Sequence, residues 1–310
     1  MRLAVVGVGG TGGYFGGLLA RAGREVTFIA RGETLTVLRT RGLTVKSKVE
    51  GPFTVAVHAT DTPSEVGPVD LVLFCVKAYD TTEVANMIRP LVGADTVILS
   101  VQNGIDNEER IAEVVGQGLV IGGVAGVSAQ KEAPGVISVT QEPGWIRFGD
   151  LTGGTDARTE RLLEVLQGAG FNTELRSDMP VHLWTKFVFI CAFSGVTSLT
   201  QRPIGEILQY PETAEFYRLV MEETAAVGRA RGVAIPDDCV EGWIRMSGEI
   251  NPGAYGSMYY DLASGRRLEL DSLNGCVVRL GQEVGVATPF NFAVNAALKP
   301  YEDGERQSFA

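Results

Sequence analysis

The chain opens on an apolar run, Leu3-Ala4-Val5-Val6, and passes at once into Gly7-Val8-Gly9-Gly10-Thr11-Gly12 and a small-residue segment of helical character. Glycines at the first, third and sixth positions of such a loop have separate uses. They permit a tight turn, a close approach of backbone to a pyrophosphate, and close packing of helix on strand. The helix that follows turns unpaired N–H groups and a partial positive charge toward a phosphate. The spacing therefore predicts a dinucleotide-binding unit at the start of the chain, with Gly7, Val8, Gly9, Gly10, Thr11 and Gly12 as its phosphate loop. With 39 glycines in 310 residues, chance matches are common. The position of the loop between a strand and a helix is what gives the pattern its weight.

The pattern after the loop agrees. Residues 25–30, 70–76 and 96–101 are short, almost continuously apolar runs separated by helical segments, which predicts a parallel sheet covered on both faces. Glycine-punctuated strands over 118–148 predict an antiparallel extension, closed by a helix over 155–168 and a strand over 172–175. Beyond Met179-Pro180 the apolar period becomes 3.6, and helices are expected over 182–199, 211–232, 236–246, 269–285 and 291–298. The fold class expected is α/β: a doubly wound domain over 1–178, then an all-helical substrate and catalytic domain over 179–310. The polar tail, 302–310, is expected to fray.

Composition narrows the function. With 27 Lys and Arg against 37 Asp and Glu, the formal charge is −10. Such a surface repels nucleic acid and anionic lipid, so neither is an expected partner. The most apolar stretch, 187–199, is shorter than a bilayer span and interrupted by polar residues. The N-terminus lacks the pattern of a signal peptide, and a cytoplasmic location is expected. Four scattered cysteines read as buried free thiols, and only His58 and His182 are available for imidazole chemistry. No metal site is expected.

The residue at the end of the second strand selects the dinucleotide. NAD binders place a carboxylate there for the ribose 2′-hydroxyl. This chain has Arg31, whose guanidinium suits a 2′-phosphate, so NADPH is the expected cofactor. Lys77 and Asn103 follow the strands over 70–76 and 96–101, where doubly wound sheets hold ligands, although a solvated strand end and a plain turn explain them equally well. Lys186 sits in a mostly apolar helix, where burial would draw its pKa toward neutrality and suit it to donate a proton. Snorkelling to water or pairing with a carboxylate are the alternatives. Glu269 is a candidate partner and Ser257 a candidate hydroxyl. His182, one turn before Lys186, reads as structural.

Taken together, GVGGTG, Arg31, FCVKAYD, VQNG, WTKF and SMYYDLASGRRLELDSLNG resemble the ketopantoate reductase family in order over nearly the whole chain. The resemblance implies a Rossmann domain followed by a helical domain similar to that of 6-phosphogluconate dehydrogenase, with an interdomain active site. It implies NADPH-dependent reduction of 2-dehydropantoate to pantoate, with Lys186 as proton donor and Glu269 orienting it. Lys77 and Asn103 would line the cofactor–substrate junction, and Ser257 would bind the substrate carboxylate. The family's asparagines after the lysine are replaced by Ile190 and Ser194, and a further one by Ile204. Lys186, Ile190 and Ser194 share a helix face, so a pocket more apolar than ketopantoate requires is expected. That leaves reduction of a bulkier or more apolar 2-oxo acid as an alternative, and a non-catalytic NADP(H) sensor as another. A homodimer is left open by the apolar helical faces.

Overall fold

The computed structural model describes residues 1–47 and 51–304. Two compact units account for them: Met1–Gln102 with Asp106–Pro180, and Asn103–Ile105 with the chain from Val181 onward.

In the first unit, β1 (Arg2–Val6) runs parallel to β2 (Glu25–Ile29) on one side and to β6 (Leu71–Phe74) on the other. Outward from β2 lies β5 (His58–Thr60); outward from β6 lie β7 (Val97–Ser100) and the start of β8 (Val120–Ala133), all parallel. Numbering these six strands by their order in the chain gives 3-2-1-4-5-6 across the sheet, the Rossmann order, with its reversal between β1 and β6. The two-residue side-chain period of a strand, with both faces covered, explains why the central runs are almost wholly apolar. Leu3, Val5, Leu71, Leu73 and Leu99 enter the core on one face. Ala4, Val6, Val72, Phe74 and Ile98 enter the core on the other, beneath α3 (Thr81–Met87) and α4 (Asn107–Val115).

The helix α1 (Gly10–Arg21) sits unusually deep. A Cβ at Gly16 would lie 2.7 Å from the Phe28 ring, and one at Gly13 would lie 2.5 Å from the Ile137 side chain. Small residues let α1 pack against the parallel sheet and also against the extension, where β8 forms a long hairpin with β9 (Val136–Gly149). The expected antiparallel extension is thus one hairpin of two 14-residue strands. Beyond β9 the sheet continues through β3 (Leu43–Lys46) and β4 (Phe53–Val55), with β10 (Asn172–Leu175) on the other half of β9. The short elements β3, β4, β5, α2 (Gly32–Arg41), α3 and α4 escape the periodicity reading because each is too short or too polar to carry a clear period. The helix α5 (Ala157–Gln167) falls where expected, started by an Asp156–Thr159 capping box.

The second unit is helical. Its central helix α6 (Met179–Thr200) contributes Trp184, Phe187, Val188, Cys191, Ala192 and Val196 to a buried cluster. By length and composition alone α6 could cross a membrane, but 61% of its most apolar window is buried inside the protein. The helices α7 (Ile204–Gln209), α8 (Pro211–Ala230), α9 (Cys239–Glu249), α10 (Ser257–Ala263), α11 (Asn274–Val284) and α12 (Pro289–Leu298) follow it in the chain. The helix expected over 269–285 begins only at Asn274; Glu269 lies in the turn before it. The tail is tied down as far as Glu302, whose carbonyl accepts a 2.8 Å hydrogen bond from Leu268 N, while 305–310 fall outside the described residues. All four cysteines are free thiols, and Cys75 alone is only half-buried.

The turn after β7 is held by a buried polar cluster. Gln102 Nε2 donates to Val76 O (2.9 Å) and Thr81 Oγ1 (2.8 Å), and Thr81 Oγ1 donates to Asn107 Oδ1 (2.9 Å). The Ser100 hydroxyl lies 3.3 Å from Gln102 Oε1 and also supports the buried Glu108 carboxyl. Burial raises Glu108 to about 7, and Asp106 adds to the shift. Between pH 4.5 and 7 the folded protein therefore holds a proton that the unfolded chain has released, so stability falls as pH rises through that window. In chemical denaturation, Glu108→Gln is expected to remove this slope and to exceed the wild type at about pH 8 by on the order of 2 kcal/mol. An unchanged slope in the variant would place the titrating group elsewhere.

Candidate active site

The glycine loop occupies the carboxyl end of β1, at the strand-order reversal where open α/β sheets bind ligands. Each of its glycines meets a different requirement. Gly7 has φ +95°, and a Cβ there would lie 2.8 Å from the backbone of Cys75 and Val76, so the loops after β1 and β6 touch. Gly12 packs on the Gly7 carbonyl, where a Cβ would come within 2.1 Å. Gly10 packs on the Ala129 carbonyl of β8, at 2.0 Å. Gly9 differs from all three. Its φ of −87° is open to any residue, and a Cβ there would meet no protein atom within 4 Å. Neither conformation nor internal packing calls for glycine at position 9; a group lying against the backbone would. Gly9 is also the N-cap of α1, which has no side-chain cap and no acidic residue in its first turn. Its leading N–H groups are left for an anion. Val8 is buried, while Thr11 is partly exposed in the first turn of the helix.

Arg31 follows β2 as the N-cap of α2 and is exposed. The positive end of that helix and the guanidinium thus share one place, tempered by Glu33 in the first turn. Lys77 follows β6, half-buried, and its carbonyl accepts from Asp80 N at 2.9 Å.

In the helical unit, Lys186 lies on α6 between Trp184 and Phe187, whose rings meet edge to face at 5.7 Å. Withdrawal from water lowers its pKa from 10.5 to about 8, against the opposing attraction of Glu269. Desolvation is the larger effect. Glu269 is 6% exposed, between the core residues Leu268 and Leu270. Asn103 is half-buried and groups with this unit, as does Ile105, which packs on its core. Ser257 is exposed at the first position of α10.

Ile190 and Ser194 follow Lys186 at one and two turns, as the period requires, and both are buried. Ile190 joins the core at 9% exposure, and Ser194 is fully buried under Gly256, where a Cβ would lie 2.7 Å from Ser194 Oγ. The helical period gives direction around α6 but not what another segment lays over it. Ile204 is likewise fully buried. Among the described residues no cluster of His, Cys, Asp or Glu could hold a metal ion. The sequence reading missed Gln102 and Glu108, whose turn and helix context gave no sign of burial. Asn274 entered that reading only as part of the segment SMYYDLASGRRLELDSLNG and was given no role of its own.

A family model described as ketopantoate reductase PanE/ApbA matches residues 3–153, and its C-terminal counterpart matches residues 178–302. The chain belongs to the ketopantoate reductase family. It is accordingly an oxidoreductase of the CH–OH class. A 2-dehydropantoate 2-reductase of Archaeoglobus fulgidus is 30% identical, with 98% of each chain covered. The crystal structure of a PanE/ApbA family ketopantoate reductase from Ralstonia eutropha JMP134 superposes with a TM-score of 0.89 at 33% identity, covering 97% of this chain and 98% of that one. A D-mandelate dehydrogenase solved with NADH and anilino(oxo)acetate has the same fold, with a TM-score of 0.89 at 24% identity over 97% of this chain and 98% of its own.

The glycines separate by experiment. Gly9→Ala is expected to leave Tm within a degree or two, because its methyl group has room. It should weaken dinucleotide binding at least about tenfold, since that methyl would occupy the ligand's place. Gly12→Ala should lower Tm sharply through its clash with the Gly7 carbonyl. Equal binding by wild type and Gly9→Ala, measured by fluorescence titration, would show that nothing docks on this loop.

Proposed function

We propose that this protein reduces a 2-oxo acid to the 2-hydroxy acid with NADPH, and that 2-dehydropantoate is the substrate. The observation that carries the reading is Lys186, an ammonium brought to about 8 by burial and kept charged by Glu269. A donor with that pKa is protonated at neutral pH yet gives up its proton readily.

The phosphate loop, the uncapped start of α1 and Arg31 would hold the dinucleotide. Gly9 supports this, since its open surface is a cradle that a side chain would fill. When bound, NADPH supplies the hydride. The rest falls to the chain's own groups. Lys186 gives its proton to the oxygen of the carbonyl being reduced, so no free alkoxide has to form, and recovers a proton from solvent afterwards. Glu269 keeps the ammonium charged and oriented. Lys186 and Lys77 supply local positive charge that a protein of formal charge −10 otherwise denies an anionic acid. Asn103 and Ser257 would bind the substrate by hydrogen bonds, and Ile190 would set its apolar contact. Ser194 stays beneath Gly256 and makes no direct contact in this reading.

A second substrate reading rests on Ile190 and Ile204. Both are apolar side chains where an amide would supply a donor and an acceptor to a hydroxylated acid. They favour a bulkier, more apolar 2-oxo acid. Steady-state kcat/KM for 2-dehydropantoate beside branched and aryl 2-oxo acids decides between the two.

Three results are expected. Lys186→Ala lowers kcat by at least about 100-fold while NADPH binding persists. In the wild type, kcat/KM declines as pH rises through about 8, because the proton donor is lost on the alkaline side. Arg31→Ala raises KM for NADPH roughly tenfold or more and leaves that for NADH unchanged. Near-normal turnover in Lys186→Ala would reject the mechanism, and an unaltered cofactor preference would remove Arg31 from it.

A further inference from the structure

The helical unit contains a directional chain of buried amides. Asn274, the first residue of α11, is fully buried, and its Nδ2 donates to Cys191 O of α6 (3.3 Å) and to Asn291 Oδ1 of α12 (2.9 Å). Asn291, also fully buried, donates through its own Nδ2 to Val220 O (3.1 Å) and Glu223 Oε2 (2.8 Å), both on α8. Glu223 further accepts from the backbone N–H groups of Phe290 and Asn291, each at 2.8 Å, and so caps α12 from a distance. The carboxylate can only accept, which fixes the Asn291 amide, and Asn291 Oδ1 in turn fixes the Asn274 amide. One consequence is that Asn274 Oδ1 is left buried with no hydrogen-bond partner. An unsatisfied buried acceptor calls for an explanation, because an apolar residue would avoid it.

The explanation lies in what Asn274 anchors. Glu269 sits in the turn just before it. Leu273 N donates to Glu269 O (3.1 Å), and Gly275 N donates to Leu270 O (3.0 Å). A Cβ at Gly275 would lie 3.3 Å from Leu270 O and 3.2 Å from Asp271 Oδ1, so the turn is closed tightly on the start of α11. Asn274 joins that start to the backbone of α6, the helix that carries Lys186. A Cβ at Gly195 would fall 2.6 Å from Asn274 Oδ1, so glycine at that position lets the amide reach the α6 backbone. We infer that Asn274, oriented by Asn291 and Glu223, is a positioning residue that fixes the Glu269 turn relative to Lys186 and so sets the strength of their pairing. The inference rests on the role proposed for Lys186 and Glu269. Glu269 is a charged group that acts on Lys186, and on α6 itself the titratable neighbours in sequence are His182 and Cys191.

The test is the pH dependence of kcat/KM, with Tm and NADPH binding measured beside it. In Asn274→Ala the Glu269 turn loses its anchor and the attraction on the ammonium weakens. The alkaline limb should then move to lower pH by about half a unit or more, and kcat should fall roughly tenfold. NADPH affinity should stay within about twofold of wild type. A purely structural role lowers Tm and the amount of active enzyme but leaves the limb in place. If Asn274→Ala does not fold, Glu223→Gln decides: it removes the charge that orients the chain, and a smaller shift in the same direction is expected. An unmoved limb, or one moved to higher pH, in the deciding variant overturns the inference. A Lys186→Ala enzyme that keeps its turnover instead overturns the reading beneath it, so the two failures are distinguishable.

Discussion

An ammonium withdrawn from water keeps its proton near neutrality only while a carboxylate stands close enough to offset the lost hydration. Lys186 is in that position. Burial pulls its pKa down, Glu269 pushes it up, and burial prevails by enough to leave it at about 8. Much of the helical unit maintains this balance. Trp184 and Phe187 flank the lysine on α6. Leu268 and Leu270 hold Glu269 in the core from either side. The amide chain from Asn274 to Glu223 ties α8, α11 and α12 to the backbone of α6, the helix that carries Lys186. A lysine exposed on that helix would lack the burial that lowers its pKa, and one buried without the carboxylate would have its pKa lowered further.

The Rossmann unit rests on a different constraint, the absence of side chains. Gly7, Gly10 and Gly12 allow backbone to meet backbone where the loops after β1 and β6 and the strand β8 converge, and Gly13 and Gly16 let α1 sink against the sheet. These contacts are internal. Of the glycines in the hexapeptide only Gly9 faces open space, at the start of α1, which carries no side-chain cap. Within a single hexapeptide the fold thus separates the glycines that shape the loop from the one that leaves room for a ligand.

How much of this was readable beforehand varies by element. The strands over 25–30, 70–76 and 96–101 are almost continuously apolar and could be recognised, because both faces of a parallel sheet are buried. The turn at 102–104 could be recognised as a turn. Its role could not, because Gln102 and Glu108 look like surface residues until neighbouring elements close over them. Lys186 could be singled out as a charge in an apolar helix, whereas its pKa required the surroundings. Ser194 shows the limit most clearly. The helical period places it two turns from Lys186 on the same face, but Gly256, 62 residues later in the chain, covers it.

The sequence by itself determined the longer apolar strands and helices, the glycine loop with its following helix, the change to an all-helical second half, and the family to which the chain belongs. These follow from local periodicity and from residue types whose conformational needs are intrinsic. Tertiary structure alone decided which polar groups lose their water. Desolvation depends on atoms brought together from distant parts of the chain, and no local pattern encodes it. The protonation of Lys186 and Glu108, the burial of Ser194 and the fixed direction of the Asn274 amide were all settled at that level.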